Sequence, residues 1–230
     1  MVSYNPIYVI DFLPQIIRAL PLTLWIVFLT VAGGCLLGLI LTWAELSGDK
    51  GFAAIARGYI FILRCTPPIV LLFMVFYGLP EFLNWWLGFN VNGWPRGVFV
   101  VLAMTLLFAA NISQVFKSAY TGIPKGQLEA GLSIGLTDFQ AFRRIVLPQA
   151  FRLALPNITT ALLNLLKDTA LAYTIGLADI MGTANLLLGR SLGNYSLEIY
   201  TAAALIYWSL ALFLSGGSQF LEHYLDTDKR

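Results

Sequence analysis

Charge is scarce in this sequence. Charged residues make up only 11% of its 230 positions and hydrophobic ones 58%, whereas a soluble domain carries about 25% charge. That balance excludes an ordinary water-soluble fold. It implies an integral membrane protein long enough for five or six spans, with no separate soluble domain. A net charge of only +2 offers no basic field for nucleic acid. His223 is the sole histidine, which rules out a multi-histidine metal site. The two cysteines, Cys35 and Cys65, lie in or beside apolar runs and form neither a disulfide framework nor a zinc pattern. No Gly-x-x-x-x-Gly-Lys-Ser/Thr loop occurs, so the sequence offers no Walker-type nucleotide site. Asp168, Asp179 and Glu198 are the acidic residues near membrane depth, and no His–Glu or Gly-x-Ser-x-Gly pattern accompanies them. A membrane-embedded enzyme is therefore disfavoured. A secondary transporter or channel for a small polar solute is the alternative that composition leaves open.

What the chain does have is a series of long apolar runs. The leading residues read as a short amphipathic approach interrupted by Pro14, and Asp11 with the late Arg18 is unlike a cleavable signal. Five spans are predicted, at about 20–43, 58–79, 98–119, 149–166 and 199–220. The first contains Gly34-x-x-x-Gly38, small residues that permit close helix contact, within the protein or with a second copy. The second is expected to kink at Pro67-Pro68, just after Arg64, Cys65 and Thr66. Arg64 reads either as a snorkelling interface residue or as a functional one. Between the second and third spans, Trp85, Trp86 and Trp94 mark a membrane interface.

The third span turns polar towards its end, with Asn111, Ser113, Gln114 and Lys117. Asn111 and Gln114 share a helix face. Amides facing lipid would be left without partners, so this face is expected to point into the bundle or a watery cavity. The run 170–188 is long enough to span but holds Gly176, Asp179, Gly182 and Asn185. It reads as a re-entrant segment buried in protein, with Lys167 and Asp168 as structural groups that fix the break before it.

Residues 124–148 form a charged insertion between the third and fourth spans. Leu128, Leu132 and Ile134 cluster in its first half; Phe139, Phe142 and Val146 recur in its second. Gly135 separates the halves. Thr137 with Gln140 reads as a capping box that starts a second helix, and Pro148 suits the first turn of the next span. Two short helices at an angle, with basic residues beside them, make a docking surface. The basic residues also set orientation. With five spans, Lys50, Arg57, Arg64, Lys117, Lys125, Arg143, Arg144, Arg152, Lys229 and Arg230 fall on one side, leaving Arg18, Arg96, Lys167 and Arg190 for the other. This predicts the amino terminus outside and the carboxy terminus in the cytoplasm.

Within 124–148, Glu129-Ala130-Gly131 followed by Gly135, Ile145 and Leu147-Pro148 resembles the cytoplasmic Glu-Ala-Ala loop of bacterial ABC importer permeases. Arg64-Cys65-Thr66-Pro67, Gly126-Gln127-Leu128-Glu129-Ala130, Leu147-Pro148-Gln149-Ala150 and Lys167-Asp168-Thr169-Ala170-Leu171 are similar to motifs of the polar amino acid importers within that family. The carboxy-terminal Leu197-Glu198-Ile199-Tyr200 and Ile206-Tyr207-Trp208 look similar to cystine-type members. The resemblance implies an all-α integral membrane fold: the five-helix permease core of a type I ABC importer with a two-helix coupling loop. It implies a non-catalytic subunit in a bacterial plasma membrane. Its partners would be a cytoplasmic ATPase dimer carrying ATP and magnesium, a second permease copy or relative, and an extracytoplasmic amino-acid-binding protein. The present chain is expected to be too short to hold that binding domain itself.

In this family Gln127, Glu129, Ala130, Gly131, Gly135 and Arg143 would serve coupling to the ATPase, and Arg64, Thr66, Asn111, Gln114 and Lys117 the substrate path. Pro67 and Pro68 would be structural. The family commonly has Tyr, Glu and Arg where Asn111, Gln114 and Lys117 stand here. Loss of the glutamate favours a neutral or zwitterionic amino acid, with cystine as a candidate.

Overall fold

The computed structural model describes residues 4–226, so Lys229 and Arg230, assigned above to one side of the membrane, lie outside the described residues. Every regular element described is helical. Helix α1 (Pro6–Ile17) is followed by α2 (Leu20–Leu46), α3 (Lys50–Cys65), α4 (Pro68–Leu87) and α5 (Arg96–Thr121). Then come α6 (Lys125–Ser133), the long α7 (Asp138–Ile175), α8 (Ile180–Arg190) and α9 (Ser196–Asp226). By length and composition α2, α4, α5 and α9 can each cross a membrane, and α7 with α8, bent by 44° at their junction, can together make a fifth crossing.

Helices α2 and α5 make the most extensive contact in the bundle, and small residues are the reason. A Cβ at Gly34 would lie 2.6 Å from Phe108 Cδ1, and one at Gly38 would lie 2.5 Å from Ile112 Cγ2. One turn further along, the Thr42 hydroxyl donates to the Ser113 carbonyl at 3.0 Å. The glycine stripe is thus consumed inside the chain and is not free to face a second copy. Around this pair, Leu72, Phe99, Met104, Ile112 and Leu165 build the main apolar core.

The expected span 58–79 is corrected. Pro67 forces the residue before it out of the helical region, and Pro68 does the same to Pro67. Thr66 (ψ 124°) and Pro67 (ψ 137°) are accordingly extended. Two consecutive prolines therefore separate two helices instead of kinking one. Helix α3 stops at Cys65, and the apolar crossing runs over Pro68–Leu87, starting with Pro68 in the first turn.

Pro14, by contrast, does not interrupt α1, which runs through it. Helix α1 packs on α8 and α9 through Val9, Ile16, Ile180 and Ile199. The buried Glu198 carboxylate holds its start by accepting the Asn5 N–H at 2.9 Å.

The break in the fifth crossing also differs from expectation. The chain stays helical through Lys167, Asp168 and Thr169, tightening to a 3-10 helix over Thr169–Ile175. It turns at Gly176, whose φ of +77° is left-handed and favours glycine. Arg96 Nη1 donates to the Gly176 carbonyl at 2.7 Å. Asp179 Oδ1 then caps α8 by accepting the Gly182 N–H at 2.8 Å.

Candidate functional site: a polar cleft and an exposed loop

A polar cleft lies between α5 and α7. One part, of about 240 Å³, is lined on its polar side by Asn111, Asn157, Thr160, Asn164 and Asp168. The adjoining part, about 380 Å³, shares Asn111, Asn164 and Asp168 and adds Arg64, Thr66 and Lys167. The break at Pro67-Pro68 brings the end of α3 to this cleft, with Thr66 held by its hydroxyl donating to the Ile62 carbonyl at 2.8 Å. On α7, Asn157, Asn164 and Asp168 are spaced seven and four apart and so fall on one helix face.

The three asparagine side chains are not hydrogen-bonded to protein among the described residues, and Arg64, Lys167 and Asp168 form no ion pair there. The cleft therefore presents free amides, a hydroxyl, cations and a carboxylate. Such a set can take up the hydrogen bonds and both charges of a small zwitterion.

Of the residues expected on the path, the structure gathers Arg64, Thr66 and Asn111. Gln114 and Lys117 do not line the cleft. Glu45, near the end of α2, holds both: Lys117 Nζ is 2.7 Å from Oε1, and Gln114 Nε2 donates to Oε2 at 2.7 Å. The Glu45 side chain is only 3% exposed and Lys117 35%. A carboxylate thus stands beside position 114, supplied by another helix, so charge lost at Gln114 carries no conclusion about the substrate. Lys167 and Asp168, expected as structural groups at the break, line the cleft, and the backbone turns beyond them at Gly176. Asn157 and Asn164 escaped attention in the sequence, although their spacing could have revealed them.

The other feature is the loop at the end of α5. Helix α6 ends at Ser133, and the chain turns at Gly135, with φ +84°. The capping box is formed: the Gln140 N–H donates to Thr137 Oγ1, and the Thr137 N–H donates to Gln140 Oε1. The second short helix is not separate, however. It joins α7 through a π turn over Phe142–Val146, and Pro148 sits within the continuous helix. Gly131 lets α6 lie against that turn, since a Cβ there would sit 2.7 Å from Ile145 Cδ1. Gln127, Glu129, Ala130 and Arg143 are exposed, together with Ile134 and Phe139 at 79% and 70%. Among the described residues, no group of three or more His, Cys, Asp or Glu side chains gathers to hold a metal.

Residues 34–225 match the family described as binding-protein-dependent transport system inner membrane component. The chain belongs to this family. It is 38% identical over 88% of its length, and 83% of the relative's, to the L-cystine transport system permease protein TcyL of Bacillus subtilis. It is 33% identical to the arginine transport system permease protein ArtQ of the same organism, over 94% of each chain. A solved structure titled as an amino acid ABC transporter with histidines superposes with a TM-score of 0.83 at 27% identity, covering 97% of this chain and 100% of that one. This family member is thus a multi-pass membrane transport subunit with the five-crossing type I permease fold.

Proposed function

We propose that the chain is the non-catalytic permease subunit of an ATP-driven importer, and that the cleft between α5 and α7 is its path for a polar, zwitterionic amino acid. The carrying observation is the cleft itself, with Arg64 and Asp168 available for the carboxylate and ammonium groups and Asn111, Asn157 and Asn164 for a polar side chain. The cystine and arginine permeases among its relatives support that substrate class. The loop 124–148 is the ATPase-docking surface: exposed Ile134 and Phe139 would be covered by a cytoplasmic ATPase, with Gln127, Glu129, Ala130, Gly131, Gly135 and Arg143 forming or shaping the contact. ATP and magnesium belong to that partner. A second permease, an identical copy or a relative, completes the path, and an external binding protein delivers the substrate.

This reading puts the loop and the basic residues around it in the cytoplasm of a bacterial cell, the amino terminus outside and the carboxy terminus inside. The test is affinity purification of the tagged chain from mild detergent, followed by hydrolysis assays. An ATPase is expected to co-purify and to be lost or uncoupled with Glu129→Arg. A chain that moves amino acids down an ion gradient with no associated ATPase would refute the reading.

A further inference from the structure

The Glu45 contact lies where the loop leaves the membrane domain. Lys117 is one helical turn before Thr121, the last residue of α5, and Glu45 is in the last turn of α2. Both carboxylate oxygens are engaged, at 2.7 Å each, and the side chain is almost wholly buried. Next to it Thr42 bonds the Ser113 carbonyl, and Gly38 and Gly34 seat Ile112 and Phe108. The outgoing arm of the loop is therefore fastened to α2 by directional polar contacts and interlocked packing.

The returning arm is attached differently. In its π turn the Leu147 N–H reaches back to the Phe142 carbonyl, so Phe142 and Leu147 align on one face. Such turns are wide, rare and common at functional sites. That face borders an apolar groove of about 540 Å³, whose opposite wall includes Trp43 and Leu46 of α2 and Phe116 and Tyr120 of α5. Apolar contacts are non-directional and let one surface shift over another. One arm is tied to α2 by polar contacts, whereas the start of the other faces α2 and α5 across an apolar groove.

We propose that Glu45 is a positioning residue for energy coupling. It locks α5 to α2 as a fixed wall, so that displacement of the loop passes through the π turn into α7. Helix α7 carries Asn157, Asn164 and Asp168, which then move against the stationary Asn111 on α5. The inference rests on the import reading above and adds which wall of the cleft moves.

The test is the number of ATP molecules hydrolysed per amino acid imported, in liposomes holding the complete complex with its binding protein. The parent has Cys35 and Cys65 replaced by alanine; the variant adds Glu45→Cys and Lys117→Cys. Before cross-linking, the variant is expected to hydrolyse about threefold or more ATP per amino acid than the parent. Bridging the two thiols with a short bifunctional reagent replaces the ionic clamp by a covalent one and should restore the parent ratio, in the same folded molecules. An unchanged ratio before bridging, or transport that is blocked or not recoupled by it, overturns the inference while leaving import intact. A parent showing no amino-acid-stimulated hydrolysis would instead remove the import reading, and this inference with it.

Discussion

Asn164 is the residue whose replacement bears most directly on the cleft, because it lines both of its parts and has no protein partner among the described residues. Asn164→Leu is expected to lower kcat/KM for uptake about tenfold, the loss of roughly one substrate hydrogen bond in a partly dry site. Assembly with the ATPase should be unaffected. Uptake kinetics with co-purification as the control check this, and Asn111→Leu should behave alike. Asn111 was legible because a polar amide stands out in an apolar run. Asn157 and Asn164 carry the same signal, diluted by the threonines and leucines around them. Glu45 was not legible as a partner of Lys117. The two are 72 residues apart, and no local pattern reports a pairing made only when α2 lies along α5.

Among the helices, the contact between α2 and α5 is the most demanding in shape. Gly38→Val would drive a branched side chain into Ile112, with the Ala109 carbonyl 3.4 Å from the new Cβ leaving little room to shift. Overpacking of this kind costs about 1–3 kcal/mol, so the Tm of the detergent-solubilised complex should fall. Gly58→Ala is the control, since a Cβ there meets nothing within 4 Å. In the loop, Gly135 has a left-handed φ of +84°. Gly135→Val strains that turn by about 1–2 kcal/mol and should reduce retention of the ATPase on washing without altering the Tm of the membrane domain.

The helical crossings were readable from apolar run length. Their ends were harder, because length alone does not distinguish a helix kinked by Pro67-Pro68 from two helices parted by it. The backbone preference of residues before proline decides for two. Lys167 and Asp168 misled in a similar way: opposite charges beside an apolar run suggest an end, yet the left-handed position is Gly176.

Across the whole molecule, helix α7 runs from the exposed loop to the polar cleft, which is the connection the proposed coupling needs. The exposed Trp25, Phe28, Trp208 and Phe213 along the outer faces of α2 and α9 suit lipid or a second copy. Reconstitution in liposomes with the ATPase and the binding protein tests the central claim most directly, by following ATP hydrolysis and labelled uptake together across a panel of amino acids. The account predicts that one or a few polar, zwitterionic amino acids stimulate hydrolysis and accumulate inside, and that Glu129→Arg abolishes their coupling. Accumulation that proceeds without ATP, or hydrolysis indifferent to every amino acid supplied, would contradict it.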